Sequence, residues 1–389
     1  MSFDDPEGVV VPAGPATGGL NTVAALVNMP KNDAPMMENW IPYPDRVETR
    51  KGATSHATGF ASTVYGLHVY SAPSGTESLW ATNSSGIFNA TSAGAIGAAA
   101  IALTNGKTFS AAITTGAGSY LFIGNGVDTI KQYDGAVWAA VAAFGGLVTS
   151  DINCAEVYKQ RLYFGKKATL SIFYLAANAV AGAATEYPLG ALFRRGGSIA
   201  AIATWTIDSG TGPDDNLVVA TSNGEIAVFS GTDPSAAATW ALRGVYYIAK
   251  PVNSYNSLYK YGGDILFLSE AGLFPLSKYL LTASIDRQKN LSQKVGQLFA
   301  DLAVLYSANS GWQILSVPDL PLLIVNVAGV AGGFQLAMHS ETQAWTTFTG
   351  WPAFSMARMG SQVFIGEATR VSKVFIGAAD WDANIVAQS

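Results

Sequence analysis

Charge is the first thing this sequence is short of. Lysine and arginine number 22, aspartate and glutamate 27, so charged residues make up 13% of the chain, about half the share in an ordinary soluble domain. A free monomer needs more surface charge than that to stay dispersed, whereas surfaces buried in permanent assemblies are depleted in it. The composition points to a subunit that hides much of its surface; the alternative is a β protein simply rich in small residues. With a net charge of −5 and no run of Lys or Arg, there is no electrostatic footprint for nucleic acid. Cys154 is the only cysteine, which excludes an intrachain disulfide framework and a thiolate metal cage. His56, His68 and His339 lack ligand spacing, so no zinc site is expected. No P-loop and no GxSxG elbow is present, and with them go the commonest nucleotide and hydrolase signatures. The longest apolar run, AGAIGAAAIAL at 93–103, is too short to span a bilayer. The first residues, MSFDDPEGVV, are acidic and carry no signal core; the expectation is a soluble chain made in the cytoplasm, without a membrane anchor.

What the sequence does hold is β signal almost throughout. Short runs of Val, Ile, Leu, Phe, Tyr and Trp alternate with Asn-Gly, Asp-Gly, Ser-Gly and Gly-Gly turns, the pattern of strands joined by tight turns. One hairpin-like unit recurs, starting at Leu79, Tyr120, Arg161, Asn216, Gly263, Leu322 and Gln362. Three of these units run on through a polar turn to a tryptophan, Trp138, Trp240 and Trp345, spaced by about two repeats each. A four-stranded unit of roughly 40 to 50 residues is the size of one propeller blade. The fold class expected is therefore all-β, a β-propeller of six or seven blades over residues 61–389, with a degenerate β-sandwich or β-solenoid as the alternative. Residues 1–60 read as an irregular arm and assembly segment, Pro-rich at LNTVAALVNMPKNDAPMMENWIPYP. One short helix is expected over Lys294–Tyr306, with Val295, Leu298, Phe299, Leu302 and Leu305 on one face, packed between two blades.

Three places could carry chemistry. In WTIDSGTGPDDNLVVATSNGEIAVFSG, Asp208, Asp214 and Asp215 crowd a Gly-rich stretch, but they miss the alternation of a Ca²⁺ loop. Asp favours turns for its own reasons, so a structural turn ahead of the strand NLVVAT is expected. GNGVDT at 124–129 looks like a phosphate loop but precedes strand residues, so its Asn-Gly reads as a hairpin turn. Arg194 and Arg195 are the only adjacent arginines. They suit either carboxylate and backbone recognition across an interface or a plain exposed turn between blades. A carboxylate pair for glycoside hydrolysis would meet only in three dimensions, and nothing singles one out. No catalytic, cofactor-binding or metal-binding residue is assigned, no cofactor is expected, and the chain reads as not an enzyme.

Residues 18–52, GGLNTVAALVNMPKNDAPMMENWIPYPDRVETRKG, resemble an N-terminal signature of bacteriophage tail proteins. The matching positions are Gly18, Gly19, Asn21 and Thr22, then Met29, Pro30, Asp33, Ala34, Asn39, Trp40 and Pro42, closed by Arg50 and Gly52; Leu20 stands where an aromatic is expected. YPLGALFRRGGS onward and YGGDILFLSEAGLFPLSK look like later parts of the same proteins, and the resemblance reaches to about residue 300. It is similar in kind to the tail nozzle, or tail hub, of short-tailed phages. That resemblance implies a structural virion protein, a homo-oligomeric, hexameric ring below the adaptor. It implies further partners in tail fibre or needle proteins, and genomic DNA passing through the bore without sequence-specific binding. It places the chain in the virion tail, with Asn39, Trp40, Pro42, Arg194 and Arg195 as candidate assembly residues and the arm docked on a neighbouring subunit or the adaptor. The alternatives are a receptor-binding or glycan-binding propeller module of the tail and, behind it, a polysaccharide depolymerase.

Overall fold

Strand periodicity shows how the elements are used. Phe109–Thr115 reads FSAAITT, with Phe109, Ala111 and Ile113 buried and Ser110, Ala112 and Thr114 exposed, the alternation of a strand with one dry and one wet face. Leu322–Asn326, LLIVN, is buried at every position, as a strand covered on both faces must be. The first kind lines a channel; the second lies inside a stack of sheets. In the computed structural model, which describes residues 14–208, 213–252, 255–280, 290–317, 319–381 and 383–388, these strands build a seven-bladed β-propeller. Each of the seven hairpin units found in the sequence is the second and third strand of one blade. Trp138, Trp240 and Trp345 each open the outermost strand of blades 2, 4 and 6.

The inner strands, in chain order, are Gly66–Ser71, Phe109–Thr115, Ile152–Tyr158, Ile199–Asp208, Leu258–Tyr261, Gln313–Val317 and Ser355–Met359. Blade 5 has three strands. Its third, Gly272–Pro275, runs into α1 (Leu276–Leu280), and α2 (Gly296–Tyr306) packs beside it. Blade 7 is completed by the strand Ala53–Thr58, which pairs antiparallel with Arg370–Val374. The N-terminal side of the chain thus supplies the outer strand of the last blade and closes the ring.

Two expectations move. The division at residues 60 and 61 falls inside neither unit cleanly, because Ala53–Thr58 belongs to blade 7; only residues before it form the arm. The helix begins at Gly296, preceded by a 3-10 turn at Gln293–Val295, and α1 is a second helix. Val295, Phe299 and Leu302 are buried as expected, but Leu305 is 70% exposed. At 100° per residue it lies about 120° from Phe299, off the narrow stripe that a helix on the propeller rim buries.

The turns between second and third strands share a device. Asn83 accepts from the amides of Ser85 and Gly86, Asn125 from those of Val127 and Asp128, Thr221 from Glu225, and Ser269 from Ala271. All four side chains are buried, so each supplies the hydrogen bonds that turn amides would otherwise lack. GNGVDT is one of these turns, with Asp128 also accepting from the amide and hydroxyl of Thr104.

Candidate assembly site and central channel

The arm is fixed to its own propeller. Gly19 sits at φ +79 with a built Cβ only 2.5 Å from the Trp345 carbonyl oxygen, so only glycine lets the arm lie against blade 6. The backbone at Met37–Asn39 then adds to the edge of that blade: Thr347 donates to the Met37 carbonyl and Asn39 to that of Thr347. This covers a strand edge that would otherwise be open to pairing with another chain. Asn39 adopts φ 60, a conformation that asparagine tolerates better than most residues. Its amide oxygen accepts from Arg50 Nε (2.8 Å) and the Thr349 amide (3.0 Å), while its Nδ2 donates to the Val386 carbonyl and Thr349 Oγ1.

Arg50 is 2% exposed, and a buried guanidinium needs all its donors satisfied. It has them. Nη1 and Nη2 grip the two oxygens of Asp380 at 2.9 and 2.5 Å, and the remaining N–H groups reach the carbonyls of Lys51 and Thr349 and the side chain of Asn39. The guanidinium lies 4.2 Å from the Trp351 ring centroid, and Trp351 Nε1 donates to Asp380 at 2.8 Å. Gly52 is required beside this clasp because a Cβ there would stand 1.8 Å from the Ala379 carbonyl oxygen. One cluster therefore ties the arm, the outer strand of blade 6, the loop to blade 7 and the C-terminal segment together.

This overturns part of the expectation for Asn39, Trp40 and Pro42. Asn39 and Pro42 are buried in the chain's own fold, and Trp40 is half-buried against the core that also holds Trp345; none of the three stands free for a neighbouring subunit or an adaptor. The outward part of the arm is Val23–Met29. Asn21 accepts from the amides of Val23 and Ala24 and donates to Asp33, which also pairs with Lys294 at 2.8 Å. The loop is held firmly, yet Leu26 and Val27 are 74% and 90% exposed.

Arg194 and Arg195 lie in the connection from blade 3 to blade 4. Their backbone amides donate to the buried Glu225 carboxylate at 3.1 and 2.7 Å. Both residues are exposed, and the Arg195 guanidinium covers the Tyr247 ring at 3.6 Å. The expected turn ahead of NLVVAT falls on residues 209–212, outside the described residues; the Asp residues flank it, Asp208 at the end of one strand and Asp214 and Asp215 within the next, paired with Ile207 and Thr206. The side chains of Asp208 and Asp214 are outside the described residues. Asp215 pairs with Lys159 at 3.2 Å; burial raises its carboxyl, but the hydrogen bonds of Thr206 and Lys159 outweigh that and leave it lowered. Among the described residues, no three His, Cys, Asp or Glu side chains gather as metal ligands.

The inner strands carry neutral side chains with a few charges among them, Arg358 of blade 7 being one that is exposed. Ser110, Ala112, Thr114, Thr204 and Thr206 stand on inner strands of blades 2 and 4, and Lys260 on that of blade 5 donates to Thr206 Oγ1 at 3.1 Å. Glu156, on the inner strand of blade 3, is half-buried. Burial between strands pushes its carboxyl up to about 7, against the opposing pull of Thr204 and Lys260. Where the inner strands begin there is a polar cavity of about 110 Å³, lined by Lys107, Gln313 and Tyr255 among others. His68, also in its lining and bonded to Ser110 and Thr108 at 2.9 and 2.7 Å, is pulled down to about 4 by burial and is neutral at physiological pH. Burial pushes the Cys154 thiol up to about 12, so no thiolate nucleophile is available there. A larger groove of about 860 Å³ opens at blade 4, floored by Trp205 and Val228.

Asp380, Trp351 and Glu225 were not visible as partners in the sequence. Arg50 and Asp380 stand 330 residues apart, and no local pattern joins them.

The geometry defines a seven-bladed propeller closed by an arm-and-tail clasp. Among solved structures, the crystal structure of BBS1N in complex with ARL6DN superposes with a TM-score of 0.50 at 13% identity, over 84% of this chain and 97% of that one. The WD40 β-propeller domain of Doa1 gives 0.45 at 10% identity, over 83% and 96%, and YCF48 bound to D1 peptide 0.46 at 10% identity, over 85% and 96%. The first of these likenesses bears on the fold alone. No family model matches the sequence, and no curated protein does.

Proposed function

We propose that this chain is a non-catalytic structural subunit of a phage tail, the ring-shaped nozzle or hub below the adaptor, through which genomic DNA leaves the particle. The observation that carries the reading is where the resembling residues fall. Gly19, Asn21, Asp33, Asn39, Arg50 and Gly52 all take part in seating the arm on blades 6 and 7. Resembling residues that build one docking device support the reading better than scattered ones would. The low charge of the chain supports a subunit with much of its surface covered. In this reading the protein's work is mechanical: it continues the channel, withstands pressure from the packaged genome, and offers surfaces to fibre or needle proteins. Light scattering after size exclusion, with negative-stain images, tests it. Six copies of 40.6 kDa, about 240 kDa, with a central hole are expected. A compact trimer would favour a receptor-binding module instead, and release of sugar from host polysaccharide would move the chain to the depolymerases.

A further inference from the structure

We propose that Asn21, Asp33 and Lys294 form a self-catalysed cross-linking site, at which the Lys294 amine displaces the side-chain nitrogen of Asn21. The product is an amide bond between the arm and the 3-10 turn ahead of α2. Asp33 is the hub. Its Oδ1 lies 2.8 Å from Lys294 Nζ, and its Oδ2 accepts from Asn21 Nδ2 at 2.8 Å. One carboxylate therefore holds an amine and a carboxamide at once, within hydrogen-bond reach of both, as a proton carrier must be. The group under attack is prepared as well. Asn21 Oδ1 accepts from the backbone amides of Val23 and Ala24 at 3.1 and 2.9 Å. These are two fixed donors on the oxygen where negative charge gathers as the carbonyl carbon is attacked.

Two distant parts of the chain build the site. Asp33 and Lys294 stand 261 residues apart, and Lys294 is placed by its own backbone, whose carbonyl accepts from the Thr22 amide at 2.8 Å. Its Nζ also donates to the Gly18 carbonyl at 2.9 Å. Glycine is needed at that position, because a Cβ would stand 2.0 Å from Asp33 Oδ1. The sequence neighbours of the three residues, Leu20, Ala34 and Val295, are buried in one apolar cluster. Asn21 is 7% exposed and the Asp33 side chain 1%, so little water competes for the carbonyl carbon. The Lys294 side chain is 40% exposed, which leaves a way out for the displaced nitrogen. In the reaction Nζ gives one proton to Asp33 and attacks Cγ of Asn21 as a neutral amine. The Cγ–Nζ bond forms, Asp33 passes that proton to Nδ2, and the Cγ–Nδ2 bond breaks. Ammonia leaves, and a second proton shed by Nζ goes with it to solvent as ammonium; nothing is oxidised or reduced. The tie holds under a tension at which an ion pair lets go, and it forms within one chain, whatever that chain assembles into.

The full chain, purified, unfolded and weighed by mass spectrometry, then digested with trypsin, decides the matter. Wild type should be lighter than its sequence by one ammonia. Its digest should contain one branched peptide, joining the segment that holds Asn21 to a segment in which cleavage after Lys294 is blocked. Lys294→Arg keeps a positive charge beside Asp33 but offers no attacking amine, and Asp33→Asn keeps the shape but removes the proton carrier. Both should keep the full mass of their sequences and lack the branch. Near-UV circular dichroism that matches wild type shows the arm seated in each; if Asp33→Asn misfolds, Lys294→Arg serves as the control alone. A wild-type chain that keeps its full mass after long incubation overturns the proposal and leaves the three residues an ion pair beside a capped turn. Loss of water instead, with the branch at Asp33, makes the carboxylate the group attacked and overturns the role of Asn21. A full yield of the branch in Asp33→Asn overturns the role of Asp33.

Discussion

Blades 3 and 4 meet around a centre of stacked rings with ion pairs at its margin; blades 6 and 7 meet the arm around a buried charge pair. In the first interface Trp240 lies parallel to Phe229 at 5.4 Å and to Tyr163 at 6.5 Å, with Tyr158 and Tyr187 edge-on at 6.1 Å each. Among the described residues its indole Nε1 and the Tyr163 hydroxyl have no partner, so area and ring geometry hold the centre of this contact, while around it Tyr158 Oη donates to the Asp215 and Gly231 carbonyls and Arg161 pairs with Asp233 at 2.8 Å. At the second, every N–H of a buried arginine is spoken for. The difference follows from connectivity. Blades 3 and 4 are consecutive in the chain, which brings them together in one order, and there the centre of the contact is non-directional packing. The arm and the C-terminal segment arrive from opposite ends, and apolar packing alone would let them slide. Directional bonds fix a register there, though a buried pair of this kind specifies more than it stabilises.

The largest effect should come from breaking the clasp on one side. Asp380→Ala leaves the Arg50 charge buried and unpaired and should cost about 3 to 5 kcal/mol in urea unfolding, whereas the double change Arg50→Met with Asp380→Leu should cost less than Asp380→Ala alone. A double variant as damaging as the single one would show that the clasp is held by the pair's own energy. Next comes the aromatic interface. Trp240→Ala should cost about 3 to 5 kcal/mol, but Trp240→Phe about 1, since no hydrogen bond is lost. Trp345→Phe should exceed that by about 1 kcal/mol, because Trp345 Nε1 donates to the Leu291 carbonyl at 2.9 Å. Equal costs for the two Phe variants would erase the distinction.

A third prediction concerns pH. The Glu156 carboxyl is raised in the fold to about 7, so the folded state binds its proton more tightly than the unfolded chain does. Its contribution is therefore fully present below the unfolded value and is lost as pH rises through about 7. The side chain is half-buried and reaches channel water, which trims the effect. Glu156→Gln should raise stability by about 1 to 2 kcal/mol at pH 8 and leave it unchanged near pH 4, read from thermal unfolding at both. The smallest effect is expected at Leu305→Lys on the outer face of α2, within about 0.5 kcal/mol of wild type; a loss of several would mean that this face is covered.

Much of the architecture was legible because it rests on local rules. Seven strand-turn-strand units stand in the sequence as seven hairpins, and the tryptophans at every second blade marked the repeat. Blade 5 and its helices were partly legible: the stripe Val295, Phe299, Leu302 is periodic, but nothing in that period says how wide the contact on the rim will be, and Leu305 fell outside it. The clasp was half legible. Asn39, Arg50 and Gly52 stood out, but their role was read outward, toward another subunit, because Asp380 and Thr349 are brought to them only by ring closure. The Asp cluster was half legible too. Gly and Asp signal a turn, but not that the strands of blade 4 are long enough to carry Asp214 and Asp215 into the sheet.

Ring closure also imposes a timetable on synthesis. Strand Ala53–Thr58 is translated more than three hundred residues ahead of its partner Arg370–Val374, and Asp380 follows Arg50 by 330 residues. At about 5 to 20 residues per second, the nascent chain carries an unpaired strand and an unmatched arginine for something on the order of half a minute. During that interval the unfinished polypeptide is at its most adhesive, and neighbouring nascent copies on one messenger are the nearest available edges. Fidelity of manufacture is thus decided when Arg370–Val374 and Asp380 emerge, and chains truncated before Arg370 should yield aggregates in place of shortened but soluble propellers.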